Sequence, residues 1–421
     1  MRLYCDKDNY KLYQGNMLDM LEDIEPNSID AIITDPPYEL NFMNKGWDNS
    51  GIAFQADTWK RCLEVLKPGG YLLAFGGSRT FHRVACAIED AGFEIRDTIM
   101  WIYGSGFPKS MNIGLALDKK NGVESIDTGI VSPNARPNCD KSNTLYESGT
   151  VGKEFTIKKA TNEWDGWGTA LKPSFEPIVV ARKPFKGTLL DNIVNYGVGG
   201  FNIDECRVEY EKTQNPATNP LYRQQNADKY KQVQGGELSN GAVSWTSGKN
   251  GVNEGGRFPA NTILTYDLVD IEEVCGGFPD TKSQKTNSKL LDIRGNNYNN
   301  STKNLDIAYE RGYDDSGSAS RYFYCAKASK RDRDEGLDKK NNHPTVKPCS
   351  LMQYLIRLVC PKGAVILDPF NGSGSTGKAV MYENLDRDKN YKYIGIELEE
   401  DYLAISKARI DYAKGDTYEN V

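Results

Sequence analysis

Late in the chain a short apolar strand, Ala364 to Leu367, runs straight into Asp368-Pro369-Phe370-Asn371-Gly372-Ser373-Gly374-Ser375-Thr376-Gly377-Lys378, a glycine-rich turn that opens a helix. A strand that feeds a tight turn into a helix is the building unit of α/β proteins with a largely parallel sheet, and an all-helical or all-β chain has no use for it. The flanking sequence follows the same rule. A helix is expected from Ser350 to Val359, with Leu351, Leu355 and Leu358 on one face, then the helix through Lys378 to Glu383. The strand Tyr393 to Ile396 and a last helix from Asp401 to Ala413 follow.

The first hundred residues repeat this alternation: strand Asp30 to Thr34, helix Ala53 to Leu66, turn Lys67-Pro68-Gly69-Gly70, strand Tyr71 to Phe75, helix His82 to Ala91 closed by Gly92, and strand Phe93 to Tyr103. Phe175 to Arg182 reads as one more strand of the same sheet. Residues 1–103, 173–183 and 343–421 therefore form one domain, interrupted by an inserted loop or lobe at 104–172 and a long polar region at 184–342. That region carries 21 Lys and Arg against 22 Asp and Glu, so it is neutral. Its Asn, Gly, Ser and Tyr content suits long loops, with disordered pieces near 212–255 and 282–304.

Composition removes whole classes of chemistry. Nine cysteines stand singly, without a Cys-x-x-Cys pair, so neither a disulfide framework nor a zinc site is expected. With only His82 and His343, His-rich metal centres are excluded, and any Ser-His or Cys-His mechanism must use one of those two. No metal site is expected. The apolar runs are far shorter than the roughly 18 to 20 residues of a membrane span, and Met1 to Lys7 is no signal sequence, which points to a cytoplasmic protein with no membrane partner. A net charge of -6 confines any nucleic-acid partner to a locally basic cleft.

Two motifs carry chemistry. Gly372, Gly374 and Gly377 have the spacing of a dinucleotide-binding G-x-G-x-x-G, and Glu397 follows at the end of the next strand, where a carboxylate can take two ribose hydroxyls. By spacing alone a nicotinamide enzyme is allowed. The same residues spell a P-loop, but Ala379 stands where a magnesium-binding hydroxyl belongs. The plain alternative is a glycine-rich turn with no ligand. The second motif is Thr34-Asp35-Pro36-Pro37-Tyr38, directly after an apolar strand. Two prolines remove two N–H donors, so the loop offers carbonyls, one carboxylate and an aromatic ring, a cup for a flat heterocycle with an amino group. Its plain alternative is a Pro-Pro turn with a structural Asp.

Taken together, the motifs resemble those of the amino-methylating DNA methyltransferases that use S-adenosylmethionine, in the permuted order of the β group, with Asp-Pro-Pro-Tyr first and the glycine-rich loop last. Lys172 to Pro177 and Ser318 to Phe323 are similar to segments of phage-type members. The resemblance implies a Rossmann-like α/β methyltransferase sheet carrying an inserted target-recognition domain at 184–342. It puts S-adenosylmethionine on Asp368, Pro369, Phe370, Gly372 and Gly374, with Glu397 on the ribose. Leu12-Tyr13-Gln14-Gly15-Asn16 matches a family pattern that usually ends Gly-Asp, and brings Asn16 toward the adenine of the cofactor. His343-Pro344-Thr345-Val346-Lys347-Pro348 matches the segment whose Thr and Lys, here Thr345 and Lys347, sit near the cofactor's methionine end.

The implied reaction is direct methyl transfer to the N6 amine of an adenine flipped out of double-stranded DNA, with Asp35, Pro36, Pro37 and Tyr38 as the catalytic set. The alternative is N4 of cytosine; Asp rather than Ser before Pro-Pro-Tyr accompanies adenine more often in the family. Asp35 and the Pro36 carbonyl would accept the two N–H bonds, turning the nitrogen lone pair toward the methyl group, while Tyr38 stacks on the base. Pro348-Cys349 and Glu419-Asn420-Val421 echo cytosine-C5 enzymes that attack with a thiolate, but in the wrong order and context. The recognition sequence, a partner restriction nuclease and the oligomeric state, a homodimer included, are not written in the chain.

Overall fold

A computed structural model describes residues 2–40, 50–103, 110–131, 156–208, 256–265, 280–282, 286–289, 308–311, 316–318, 324–325 and 330–415. It contains two compact units, Ser105–Ser174 and the remainder.

The larger unit is built on a ten-stranded sheet. Its first third contributes β1 (Arg2–Lys7), β2 (Tyr10–Gln14), α1 (Met17–Leu21), β3 (Ile29–Thr34), α2 (Ala56–Val65), β4 (Leu66–Phe75), α3 (Phe81–Asp90) and β5 (Glu94–Tyr103). In the smaller unit, α4 (Ile113–Asn121) accompanies an antiparallel pair, β6 (Ile126–Val131) and β7 (Thr156–Lys159). There follow β8 (Phe175–Arg182), α5 (Leu189–Tyr196) and β9 (Thr262–Thr265). Two two-stranded sheets pair β10 (Asp280–Lys282) with β13 (Ser316–Ser318) and β11 (Thr286–Lys289) with β12 (Ala308–Arg311). The chain closes with β14 (Tyr324–Cys325), α6 (Lys330–Asp334), α7 (Cys349–Val359), β15 (Val365–Asp368), α8 (Ser375–Arg387), β16 (Lys392–Glu397) and α9 (Glu400–Lys414).

The strand order is β1-β2-β16-β15-β3-β4-β8-β5-β9-β14. Neighbours run parallel except at β1/β2, β4/β8 and β8/β5. Side chains along a strand alternate between faces, and here both faces are buried, which is why these strands read as continuous apolar runs. Tyr71, Leu73, Phe75, Ile178 and Val180 point into one core, while Leu72, Ala74, Val179 and Ala181 point into the other. The first core is covered by α7, α8 and α9 from the end of the chain, the second by α1, α2 and α3 from its beginning. The two ends thus make the two helical layers of one doubly wound α/β domain of Rossmann-like type.

Winding reverses between β3 and β15, whose pairing sets Ala31 against Ile366 and Ile32 against Leu367. Asp30, a buried polar residue in β3, clamps this seam: Oδ2 accepts the Val365 backbone N–H at 2.8 Å and Oδ1 accepts Lys67 Nζ at 2.5 Å, tying β3 to β15 and β4.

Several expectations need correction. Lys67-Pro68-Gly69-Gly70 is the leading part of β4 rather than a turn, because its pairing with β3 shifts register between Ile29 and Ala31 and absorbs the irregular residues. The N-terminal hairpin β1/β2 extends the sheet beyond β16, in register from Tyr10 opposite Tyr393 to Glu397 opposite Gln14. Within 184–342, α5, β9, β14 and α6 belong to the larger unit. Asn192 of α5 is buried, donating from Nδ2 to Pro68 O and Val198 O, so the sheet domain continues past residue 183. Of the expected disorder, 212–255 lies outside the described residues, and 282–304 contains strand β11, which no apolar alternation marks. Residues 319–323 of the family-like segment and the terminal Glu419-Asn420-Val421 also lie outside the described residues.

Asp30→Ala should strand a buried amide and the Lys67 ammonium. A loss of about 1.5 to 3 kcal/mol in unfolding free energy is expected by urea denaturation, with an unchanged m-value.

Candidate active site

In open α/β sheets ligands bind beyond the carboxyl ends of the strands where the winding reverses. Here those ends are Thr34-Asp35 of β3 and Asp368-Pro369 of β15. They are joined directly: Thr34 Oγ1 donates to Asp368 Oδ1 at 2.6 Å across 334 residues of sequence. Asp368 Oδ2 accepts Thr376 Oγ1 at 2.6 Å, and Oδ1 also accepts the Phe370 N–H at 3.1 Å. Burial pushes this carboxyl up to about 6, even though three donors favour its ionised form. Asp368 therefore organises the turn from beneath, with both oxygens engaged inside the protein.

Above it, the glycine-rich turn is packed against the C-terminal helix. Gly374 has φ +74°, and a Cβ there would lie 2.3 Å from Ser406 Oγ. At Gly377 a Cβ would meet Tyr393 Cε1 at 2.6 Å, so glycine is what lets α8 lie on β16. Lys378 settles the P-loop alternative. Its fully buried ammonium donates to Asp332 Oδ1 at 2.6 Å and Glu335 Oε2 at 3.0 Å, pinning α6 instead of reaching toward a phosphate. Arg409, equally buried, donates to Ser373 O at 2.7 Å and fixes the same turn from behind.

Glu397 ends β16. Its Oε2 accepts the Gly372 N–H at 2.7 Å and its Oε1 the Glu399 N–H at 3.0 Å. Burial raises this carboxyl to about 7, against the pull of those backbone donors. Asn16 caps α1, with Oδ1 accepting the Leu18 N–H at 3.0 Å. Phe370 packs against Trp59, ring centroids 6.4 Å apart.

The Asp-Pro-Pro-Tyr loop is more closely held than its sequence suggests. Asp35 Oδ2 accepts Lys347 Nζ at 2.5 Å, while Oδ1 has no hydrogen-bond partner among the described residues. Burial raises the Asp35 carboxyl and Lys347 offsets part of that rise; Lys347 itself is raised, because Asp35 and Glu176 outweigh its own burial. The Tyr38 hydroxyl donates to Glu176 Oε2 at 2.6 Å, and Lys347 Nζ lies 5.3 Å from the Tyr38 ring centre. His343 Nδ1 sits 2.8 Å from the Thr345 carbonyl, and burial lowers this imidazole to about 4, so it is neutral at physiological pH. Cys349 is buried with its thiol pushed well up, no nucleophile.

One cavity of about 280 Å³ is lined by Asn16, Asp35, Pro36, Pro37, Tyr38, Thr345, Lys347, Asp368, Pro369, Phe370, Gly372 and Glu397 together. Of the residues expected at the site, Gly374 alone does not line it; it acts one layer back. Sequence reasoning missed Glu176, whose signal was a lone carboxylate in the apolar strand Phe175–Arg182, and the hydroxyls of Thr34, Thr376 and Tyr103 behind the loops.

This constellation, two acidic loops at the reversal point of a doubly wound sheet, agrees with comparison to known proteins. The family model described as DNA methylase, the amino-methylating N6/N4 class, matches residues 29–408, and the chain belongs to that family. The type II methyltransferase M.HindIII of Haemophilus influenzae is 23% identical over 235 residues, 45% of this chain and 64% of that protein. M2.LlaDCHI of Lactococcus lactis subsp. cremoris is 27% identical over 231 residues, covering 47% of this chain and 81% of the relative. The DNA adenine methyltransferase YhdJ of Escherichia coli is 35% identical over 77 residues, 18% of this chain and 24% of YhdJ. The chain thus spans less than two thirds of M.HindIII.

Gly374→Ala forces a side chain into the left-handed region and against Ser406. It should lower unfolding free energy by about 1 to 3 kcal/mol in chemical denaturation, while Gly363→Ala, with open space around it at φ +80°, shows the cost of the dihedral without the collision.

Proposed function

We propose that this chain methylates DNA site-specifically, moving a methyl group from S-adenosylmethionine to the N6 amine of an adenine flipped out of the duplex. The observation that carries the reading is the single cavity joining a carboxylate suited to a ribose, Glu397, to a carboxylate with an unpartnered oxygen, Asp35. Family membership and the adenine methyltransferase among the relatives support it. No helix among the described residues is long and apolar enough to cross a membrane.

The residues present fit the cofactor. Glu397 would hold the ribose, Asn16 would face the adenine, and Phe370 to Gly372 would form the floor, with Asp368 shaping that floor through Thr34 and Thr376. When bound, S-adenosylmethionine supplies an electrophilic methyl group on a sulfonium. Asp35 Oδ1 accepts one hydrogen of the target amine and the Pro36 carbonyl the other, which draws the nitrogen lone pair out of the ring. Asp35 must be ionised to do so, and Lys347 favours that form against the rise that burial imposes. After transfer, the excess proton on nitrogen leaves through Asp35 or water. Tyr38 offers its ring to the flipped base, offsetting part of the few kcal/mol that unstacking costs.

Target recognition falls to the remaining part of 184–342, chiefly 209–255 and the segments between 266 and 329, with help from the 105–174 unit. Their Arg, Lys, Asn and Gln suit base edges and phosphates.

Two tests follow. Incubation with labelled S-adenosylmethionine and plasmid DNA should give N6-methyladenine on nucleoside analysis. Asp35→Ala should abolish it with cofactor binding intact, and Asp35→Asn should lose on the order of 10²-fold in turnover; N4-methylcytosine as the product would shift the target base, and wild-type turnover by Asp35→Asn would remove the acceptor role. For the cofactor, Glu397 gains its proton as pH falls through about 7. Affinity for S-adenosylmethionine, measured by calorimetry, should therefore weaken toward acid pH. Glu397→Gln should bind roughly 10- to 150-fold more weakly at neutral pH and lose that pH dependence; equal affinity would exclude Glu397 from the ribose.

A further inference from the structure

Glu176 is the acidic residue of β8, followed by the buried row Pro177 to Ala181, and its side chain is 19% exposed. A carboxylate in such a strand is costly unless its oxygens are satisfied. Both are. Oε2 accepts the Tyr38 hydroxyl at 2.6 Å and lies 3.4 Å from Lys347 Nζ, and Oε1 accepts the Tyr103 hydroxyl at 3.2 Å. Tyr38 and Lys347 line the cavity, whereas Glu176 and Tyr103 stand behind its wall.

The Tyr38 ring is restrained at both ends. Its backbone carbonyl accepts Thr80 Oγ1 at 2.9 Å, and its hydroxyl is anchored on Glu176. Gly77 leaves room for the ring face, since a Cβ there would lie 3.2 Å from Tyr38 Cδ2. Lys347, in turn, is divided between two carboxylates, 2.5 Å from Asp35 and 3.4 Å from Glu176. The geometry points to Glu176 as a positioning residue for methyl transfer: it fixes the plane of Tyr38 for the flipped base and holds Lys347 so that Asp35 keeps one oxygen for the amine. This rests on the proposed function and assigns its supporting residue.

The charges facing Asp35 are the Lys347 ammonium from the segment before α7, the Glu176 carboxylate from β8, the Tyr38 hydroxyl on its own loop and the Asp368 carboxylate at the end of β15. Lys347 favours the ionised form of Asp35 and Glu176 opposes it. Removing the Glu176 charge also leaves Lys347 wholly to Asp35. Both effects ease ionisation of Asp35, so the acid limb of the rate should move to lower pH even as the misplaced ring slows the reaction.

The test is single-turnover methyl transfer from labelled S-adenosylmethionine to duplex DNA by the full chain, across pH, with Glu176→Gln, Tyr38→Phe and the double variant. Glu176→Gln keeps size and shape, and Tyr38→Phe removes only the hydroxyl, so it carries the test if the first variant fails to fold. Each single variant should lose on the order of 10- to 100-fold in rate with cofactor affinity unchanged. The double variant should be little worse than Glu176→Gln alone, because the Tyr38 contact is the part of the Glu176 role that both substitutions touch. Glu176→Gln alone should shift the acid limb downward. Wild-type rates, multiplicative losses in the double variant, or a slow Glu176→Gln enzyme with an unmoved acid limb would each overturn the positioning role and leave the proposed function standing. Absence of methyl transfer by the wild-type chain would overturn the proposed function and this inference with it.

Discussion

The site depends on one short contact, the hydrogen bond from Thr34 to Asp368 that joins the ends of two adjacent parallel strands. Sheet order makes β3 and β15 neighbours although they come from opposite ends of the chain, and the reversal of winding leaves a crevice above them. Both acidic loops emerge there because neither strand can continue: Pro369 removes a ladder donor directly after the last paired residue of β15, and Pro36 does so with one residue between it and the end of β3. Without that seam, Asp35 and Glu397 would belong to separate surfaces. With it, they line one cavity.

Burial then sets the electrostatics. Asp35, Asp368 and Glu397 are all raised by desolvation, and the structure answers each differently. Asp368 is given hydroxyl and amide donors and becomes part of the scaffold. Glu397 receives two backbone amides and stays near neutrality in its proton affinity, ready to be stabilised by further donors. Asp35 receives a cation, which favours its ionised form without consuming both oxygens. Behind the turn, Lys378 pairs with Asp332 and Glu335 and Arg409 with Asp332, so the loop that would carry the cofactor rests on a buried ionic layer and not on apolar packing alone.

Much of this was legible in the chain. Strands buried on both faces announce themselves as apolar runs, so Ile29–Thr34, Phe175–Arg182 and Val365–Asp368 were readable, as were the loops that follow two of them. The hairpin β1/β2 was not resolved, because Tyr10 and Leu12 alone carry its alternation and the strand is half polar. Helix α5 and strand β9 were hidden in a region whose average composition is that of loops, although Asn192 of α5 is buried against the sheet domain. The site residues were visible as types, but their partners were not: nothing local in the sequence says that Lys347 reaches Asp35 or that Tyr38 reaches Glu176, since those contacts exist only after the sheet closes.

On the proposed function, one crevice at the β3/β15 seam serves both cofactor and target base. The decisive measurement is a crystal structure of the full chain soaked with S-adenosylmethionine. Density is expected over the Phe370 to Gly372 turn, with ribose hydroxyls on the Glu397 carboxylate and the methyl group facing Asp35. Density elsewhere on the protein, or in the crevice with the methyl group turned away from Asp35, would contradict that reading.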